Sequence, residues 1–186
     1  MAAVWSDGAM QVRLQSFECV ECGEVWSIGG PYCARCTEIR LGIVIRDTAN
    51  AGLGVFAKRA MRRGDIVCPV VGEYLDESEL ERRYPGSTIA AYTLPVNRHI
   101  FADGISIRGI YSCINGCEKE ADANVATRLA ADDCEWPAEV VCVADIADGD
   151  ELVLCYGDHY QAIVGLKHET RKIDEAVSTR VLDPGA

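Results

Sequence analysis

The chain has 186 residues, about half of them apolar and a quarter charged, which leaves room for one ordinary folded domain and a small appendage. Its formal net charge of −11 argues against a nucleic-acid binder, because such proteins neutralise phosphates with lysine and arginine. An acidic chain attracts basic partners, but the same charge also keeps a protein soluble, and the sequence leaves both interpretations open.

Residues 1–16 are weakly patterned and are interpreted as a lead-in segment. They lack the apolar stretch of a signal peptide, and no apolar run in the chain approaches the ~20 residues that cross a bilayer. We therefore expect an intracellular, soluble protein of the nucleus or cytoplasm that has no membrane partner.

Residues 17–40 are a cysteine-rich segment. Cys19 and Cys22 form one Cys-x2-Cys pair, and Cys33 and Cys36 form a second one ten residues later. Four thiolates at about 2.3 Å make a closed tetrahedral Zn²⁺ site, so a structural, zinc-ribbon-like module is predicted. An iron–sulfur site and redox thiols are the alternatives. The metal would stabilise a segment too short to fold alone, and its role as a docking surface or as a stabilising cap stays open.

From residue 41 onward, short β-branched runs alternate with turn residues. The runs at 43–45, 66–71, 140–143 and 152–154 predict strands. Asp76, with Glu79 three residues later, predicts a short helix that ends before Pro85. A second helix is predicted at about residues 159–172, followed by a loose tail. The main domain is therefore expected to be mainly β with short helices, an α+β fold.

The glycine loop at residues 50–57 fits two different folds. Gly52 and Gly54 belong to a Gly-x-Gly-x-x-Ala pattern that matches the dinucleotide-binding fingerprint, and Glu73 lies about where the ribose-binding acid is expected. That fingerprint must begin a long helix, whereas the chain reaches Gly64 and Asp65 within ten residues. The alternating strand–helix pattern of a doubly wound sheet is also missing, which disfavours this alternative.

The same loop resembles the opening of SET domains. Residues 52–57 (GLGVFA), 63–67 (RGDIV) and 72–74 (GEY) follow the order of that family's first motifs, and residues 146–157 (IADGDELVLCYG) are similar to its closing motif. The resemblance covers about residues 42–160. It implies several small sheets with a pseudoknot-like core and transfer of a methyl group from S-adenosylmethionine to a protein lysine.

The resemblance also assigns roles to individual residues. Gly52, Leu53 and Gly54 would hold the methionine end of the cofactor, and Asn115 and Gly116 would contribute to the same site. Tyr156 would be the catalytic tyrosine, and Tyr92, Leu154 and Tyr160 would line the lysine channel. Because Leu154 has no hydroxyl to hold a water molecule there, we expect two or three methyl groups to be transferred. The expected partner is a basic protein, such as a histone tail.

The third motif departs from the family pattern RFINHSC. Ile114 and Asn115 are retained, and Asn124 matches a later asparagine, but Ser112 replaces the arginine and Gly116 the histidine. A catalytically degenerate SET-like scaffold or interaction protein is therefore the second hypothesis. Many SET enzymes also bind zinc between the cysteine of this motif and cysteines after the domain. No cysteine follows Cys155 here, so residues 159–172 are expected to close the channel.

Overall fold

The computed structural model describes residues 4–6, 9–11, 16–29, 32–49, 51–85, 92–117, 119–130 and 138–155. Sixteen short strands dominate these residues: β1 (Val4–Ser6), β2 (Ala9–Gln11), β3 (Phe17–Glu18), β4 (Val25–Trp26), β5 (Ile28–Gly29), β6 (Ile43–Asp47), β7 (Leu53–Ala57), β8 (Ile66–Pro69), β9 (Glu73–Asp76), β10 (Thr93–Pro95), β11 (Ile100–Asp103), β12 (Arg108–Gly109), β13 (Asn115–Cys117), β14 (Val125–Arg128), β15 (Glu139–Cys142) and β16 (Val153–Cys155). The α-helices among them are α1 (Ala34–Leu41) and α2 (Glu77–Arg83), and Ile110–Cys113 and Glu120–Asp122 form 3-10 turns. This confirms a mainly β fold with short helices.

The strands form several small sheets, and the largest has the order β13-β16-β14-β15-β8. Within it β16 pairs in parallel with both β13 and β14, whereas β14–β15 and β15–β8 are antiparallel. The last described strand therefore lies between two strands that precede it by tens of residues. A three-stranded sheet, β10-β11-β9, and the hairpin β6–β7 complete the main part of the domain.

The core consists mainly of Val, Ile, Leu and Ala side chains from the inward faces of these sheets. Trp26 from the cysteine-rich segment and Leu41 from the end of α1 pack against it. Strand β5 also pairs in parallel with β12, so the cysteine-rich segment is joined to the main domain by backbone hydrogen bonds as well as by apolar contact.

Helix α2 forms as the sequence predicts. The carboxylate of Asp76 accepts a hydrogen bond from the Glu79 N–H at 2.8 Å, which satisfies one of the free donors of the first turn. The Glu79 carboxylate binds Arg82 rather than completing the capping box. The helix ends at Arg83, before Pro85, as expected.

Two elements are not foreseen by the sequence patterns. Helix α1 begins directly after Cys33 and buries only Thr37, so it has no apolar periodicity to reveal it. Strands β1 and β2 pair within the segment interpreted as a lead-in. The predicted helix at 159–172 and the tail lie outside the described residues. The boundaries proposed for the four segments, 1–16, 17–40, 42–160 and 161–186, stay predictions. No described helix is long and apolar enough to span a membrane.

Candidate functional site

The four cysteines of the N-terminal segment converge on one point. The Sγ atoms of Cys19, Cys22, Cys33 and Cys36 all lie within 4.8 Å of one another, as ligands of a single ion must. Cys19 and Cys33 are buried, whereas Cys22 is exposed. Among the residues that the structure describes, no further ligand joins the four thiols, and this set fits a structural zinc ion rather than a catalytic one, which would need an open position.

Local structure positions each pair of thiols. Gly23 directly follows the first pair with a φ of 75°, a left-handed conformation that glycine adopts without strain, and its N–H donates to the Cys19 carbonyl at 2.8 Å. The second pair spans the start of α1, where Cys33 is the N-cap and Cys36 lies in the first turn. An ion pair of 2.7 Å between Arg40 and Glu21 links the end of α1 to the first pair.

The thiols of the cluster differ in acidity. Burial raises the pKa of Cys19, but hydrogen bonds from the backbone of Cys33, Glu21 and Cys22 outweigh it and lower the pKa to about 6. Burial and the neighbouring thiols raise the pKa of Cys36 to about 12. A metal ion that binds all four as thiolates must therefore displace protons.

A second group of residues gathers at the glycine loop, whose residues 51 and 52 lie in the turn between β6 and β7 and whose residues 53–57 form β7. Thr48 closes this turn, because its N–H and its hydroxyl both donate to the Gly52 carbonyl, at 2.7 and 2.9 Å. The Thr48 hydroxyl oxygen in turn accepts from the Ala51 N–H at 3.0 Å. Gly52 has a φ of 72°, and Leu53, the next residue, is buried.

Gly54 lies directly against the other two sequence motifs. A Cβ atom at this position would lie 2.8 Å from Glu151 Oε1 and 3.1 Å from Asn115 Nδ2, so only glycine fits without displacement. Asn115 Nδ2 donates to Glu151 Oε1 at 2.7 Å. The structure therefore brings together the predicted loop, the predicted asparagine and the closing motif, although they are up to about a hundred residues apart in the sequence.

Asn124 fixes the strand that carries the closing motif. Its side-chain N–H₂ donates to the Glu151 carbonyl at 2.8 Å, and its side-chain oxygen accepts from the Val153 N–H at 2.8 Å. On the other side, the Leu152 N–H donates to the Val55 carbonyl at 2.8 Å. Glu151 is thus held between β7 and Asn124 by its own backbone and that of its neighbours.

The altered third motif begins at the 3-10 turn that precedes β13. Ser112, at the position of the family arginine, donates its hydroxyl to the Gly109 carbonyl at 2.7 Å and so serves the turn itself. Gly116 is exposed and is the register partner of Leu154 in the parallel pair of β13 and β16. Leu154 is only 4% exposed and belongs to the core cluster.

Of the two predicted channel tyrosines, only Tyr92 lies within the described residues. Tyr92 is half-buried, and its ring lies under the guanidinium of Arg108, 4.0 Å from the ring centroid to Cζ. The Tyr92 carbonyl accepts from the Tyr111 hydroxyl at 2.9 Å. The predicted catalytic residue Tyr156 and the channel residue Tyr160 lie outside the described residues. Tyr156 follows directly after the described strand β16.

Glu151 and Thr48 are candidate site residues that the sequence analysis does not identify. Glu151 lies inside the closing motif, but in the sequence it looks like the other acidic residues around it, which are expected to face solvent. Only its contact with Asn115 distinguishes it from them. Thr48 precedes the glycine loop, and threonine is a residue type whose hydroxyl often closes a turn by bonding to the backbone. This residue type is the feature of the sequence from which its role could have been predicted.

A partly buried ionic network lies on the three-stranded sheet. Asp103, 1% exposed, accepts hydrogen bonds from Tyr84 at 2.7 Å and Arg83 at 3.1 Å. Arg83 also pairs with Glu73 at 2.9 Å. These contacts fasten α2 to β9 and β11. Hydrogen bonding to Arg83 lowers the pKa of Glu73, against the opposing effect of burial.

Comparison with known proteins adds a family and a fold. The family model described as SET domain matches residues 52–157, more than half of the chain. No match is found among curated proteins. A crystal structure of the Chaetomium thermophilum polycomb repressive complex 2 matches with 24% identity and a TM-score of 0.52, over 62% of this chain and 15% of that one. A structure of an active polycomb repressive complex 2 in the stimulated state gives the same values. The chain thus corresponds to a small part of those proteins, and the likeness establishes the fold.

Proposed function

Since the chain belongs to the SET-domain family, we propose that it is an S-adenosylmethionine-dependent protein-lysine N-methyltransferase. The observation that carries the proposal is the contact of Gly54 with Asn115 and Glu151. It unites the three motifs that the family uses for its cofactor in one place, beside the strand that leads to Tyr156.

The residues at this place fit the polar end of the cofactor, which carries an ammonium and a carboxylate group. Asn115 uses one N–H for Glu151 and retains a second N–H and a carbonyl oxygen. Glu151 retains one carboxylate oxygen, and the backbone of residues 52–54 supplies further donors and acceptors without intervening side chains at the two glycines. We assign binding to Gly52, Leu53, Gly54, Asn115 and Gly116, with Glu151 as an addition to this set.

When bound, S-adenosylmethionine supplies a methyl group on a positively charged sulfur. The chain must present the substrate lysine as a neutral amine, although the pKa of free lysine is near 10.4. At pH 7 neutralisation costs about 4–5 kcal/mol if the pKa is not shifted. A channel that excludes water lowers that cost, because burial disfavours the ammonium form. Tyr156 would orient the amine through its hydroxyl, and Tyr92, Leu154 and Tyr160 would align it.

The proposed substrate is a basic protein segment, such as a histone tail. The net charge of −11, from 29 acidic residues against 18 lysines and arginines, favours encounter with a positively charged partner. The four-cysteine cluster is proposed to hold one structural Zn²⁺ that keeps α1 and β5 in place against the main domain.

The proposal is tested by titration calorimetry with S-adenosylmethionine and by mass spectrometry of a lysine peptide mixture. Wild-type protein is expected to bind the cofactor, and Asn115→Ala is expected to bind it at least tenfold more weakly, a loss of about 1.4 kcal/mol. The matched control is Asn97→Ala, because Asn97 only caps the turn between β10 and β11. An equal loss of affinity in both variants would contradict the assigned role of Asn115.

The second candidate is a non-catalytic SET-like scaffold. The observation in its favour is that Gly116 and Ser112 replace the side chains that the family uses in this motif, while Ser112 is committed to the turn. Absence of binding at millimolar cofactor, in protein whose thermal unfolding is cooperative, would favour the scaffold over the enzyme.

A further inference from the structure

Two cysteines outside the four-cysteine cluster are neighbours across a pair of strands. Cys117 ends β13 and Cys155 ends β16, and they are register partners in the parallel pairing. Register partners lie on the same face of a sheet, with strands about 4.8 Å apart. This spacing falls within the roughly 4.4–6.8 Å between Cα atoms that a disulfide bridges.

The two thiols also interact and can be reached from solvent. Both residues are half-buried, whereas Cys68, Cys113 and Cys142 are buried. The Cys117 thiol donates to the Lys119 carbonyl at 3.2 Å. Burial raises the pKa of Cys117, and the neighbouring thiol of Cys155 raises it further.

We propose that Cys117 and Cys155 are an oxidation-sensitive dithiol that forms an intramolecular disulfide when the protein meets a peroxide. Neither cysteine takes part in the four-cysteine cluster or in the proposed methyl transfer. The modification site is therefore independent of the proposed function. Its place in the fold gives it a consequence, because the bond would tie the strand that bears Asn115 to the strand that precedes Tyr156.

The reaction proceeds in two balanced steps. Cys155 first loses its thiol proton, and the thiolate attacks one peroxide oxygen so that the O–O bond breaks. The released hydroxide combines with that proton to form water, and Cys155 is left as a sulfenic acid. The Cys117 thiolate then attacks that sulfur, the S–O bond breaks, and a second water leaves with the remaining proton. Two thiols and one hydrogen peroxide thus give one disulfide and two waters. Cys117 is assigned the second step because burial raises its pKa and so lowers its own thiolate fraction.

The experiment uses the full chain loaded with zinc, so that the four-cysteine cluster is protected. The protein is treated with one equivalent of hydrogen peroxide, its free thiols are alkylated, and it is cleaved after glutamate under non-reducing conditions. Cleavage after Glu151 and Glu169 isolates Cys155 in the fragment 152–169, and cleavage after Glu81 and Glu118 leaves Cys117 in the fragment 82–118. We expect these two fragments to be joined, and the join to disappear on reduction.

The fragment 82–118 also contains Cys113, so variants are used to show which of the two cysteines is linked to Cys155. Cys113→Ser should keep the linked species, and both Cys117→Ser and Cys155→Ser should lose it. The inference is overturned if Cys155 is recovered fully alkylated, is oxidised without a link, or stays linked to the fragment 82–118 in Cys117→Ser. The readout is covalent connectivity in wild-type protein, so it does not depend on whether the protein binds S-adenosylmethionine.

Discussion

Replacement of Gly54 by alanine tests whether the close contact at the glycine loop organises the candidate site. The added Cβ would lie 2.6 Å from Thr48 Cγ2, 2.8 Å from Glu151 Oε1 and 3.1 Å from Asn115 Nδ2. Two of these distances are shorter than any ordinary contact, so at least one neighbour must move. The loop turn holds Thr48, so the Glu151 carboxylate, at the end of a flexible side chain, is expected to move and to lose its hydrogen bond with the Asn115 amide.

The magnitude follows from two effects. Overpacking of a well-packed position costs about 1–3 kcal/mol of the free energy of unfolding. Loss of the hydrogen bond between Asn115 and the Glu151 carboxylate would add up to about 1.5–3 kcal/mol, as for bonds to charged groups. We expect Gly54→Ala to lose about 3 kcal/mol of stability, measured by urea unfolding, and to lose at least tenfold in affinity for S-adenosylmethionine, measured by calorimetry.

Two further variants separate the causes. Gly64→Ala introduces backbone strain at a φ of 94°, with no atom within 4 Å of the new Cβ, and should lower stability by about 1–2 kcal/mol without affecting cofactor affinity. Thr48→Ser in the Gly54→Ala background removes the closest methyl group but retains the turn hydroxyl, and should restore part of the stability. The reasoning is refuted if Gly54→Ala is as stable as wild type, or if both glycine variants lose cofactor affinity equally.

Three other predictions concern different parts of the molecule. Wild-type protein should bind one Zn²⁺ per chain, and Cys33→Ser should abolish this binding and unfold the cysteine-rich segment. Metal analysis that finds no zinc in wild-type protein purified without chelator would contradict this. Leu154→Tyr should restrict an active enzyme towards one methyl group, and Tyr156→Phe should remove most activity. Both effects are measured from the mass of a methylated peptide. A wild-type product that stops at one methyl group would contradict the role given to Leu154. Because Arg83 lowers the pKa of Glu73 in the folded state, this ion pair stabilises the protein at neutral pH and the contribution disappears as the pH falls below the ordinary value of 4.5. Glu73→Gln should therefore be less stable than wild type at pH 7, with a difference in free energy of unfolding that shrinks in acid; a difference independent of pH would show that the charge of Glu73 does not stabilise the fold.

The sequence by itself determined the parts of this protein that depend on local pattern or on spacing. The turn residues and β-branched runs predicted β6, β8, β15 and β16, apart from shifts of one or two residues at their ends. The N-cap Asp76 predicted α2, because a cap acts within four residues. The spacing of the four cysteines predicted their convergence, because a Cys-x2-Cys pair can present two thiolates to one ion.

Tertiary structure decided what no local pattern encodes. Helix α1 has no apolar stripe that a sequence pattern could reveal. It is held instead by the cysteine cluster at one end and by the packing of Leu41 against the core at the other. Glu151 is a candidate site residue only because the fold places it in contact with Asn115 and Asn124. Cys117 and Cys155 are 38 positions apart and became neighbours only through the parallel pairing of β13 with β16. Parallel strands cannot be joined by a tight turn, so their register is set by long-range packing rather than by the residues between them.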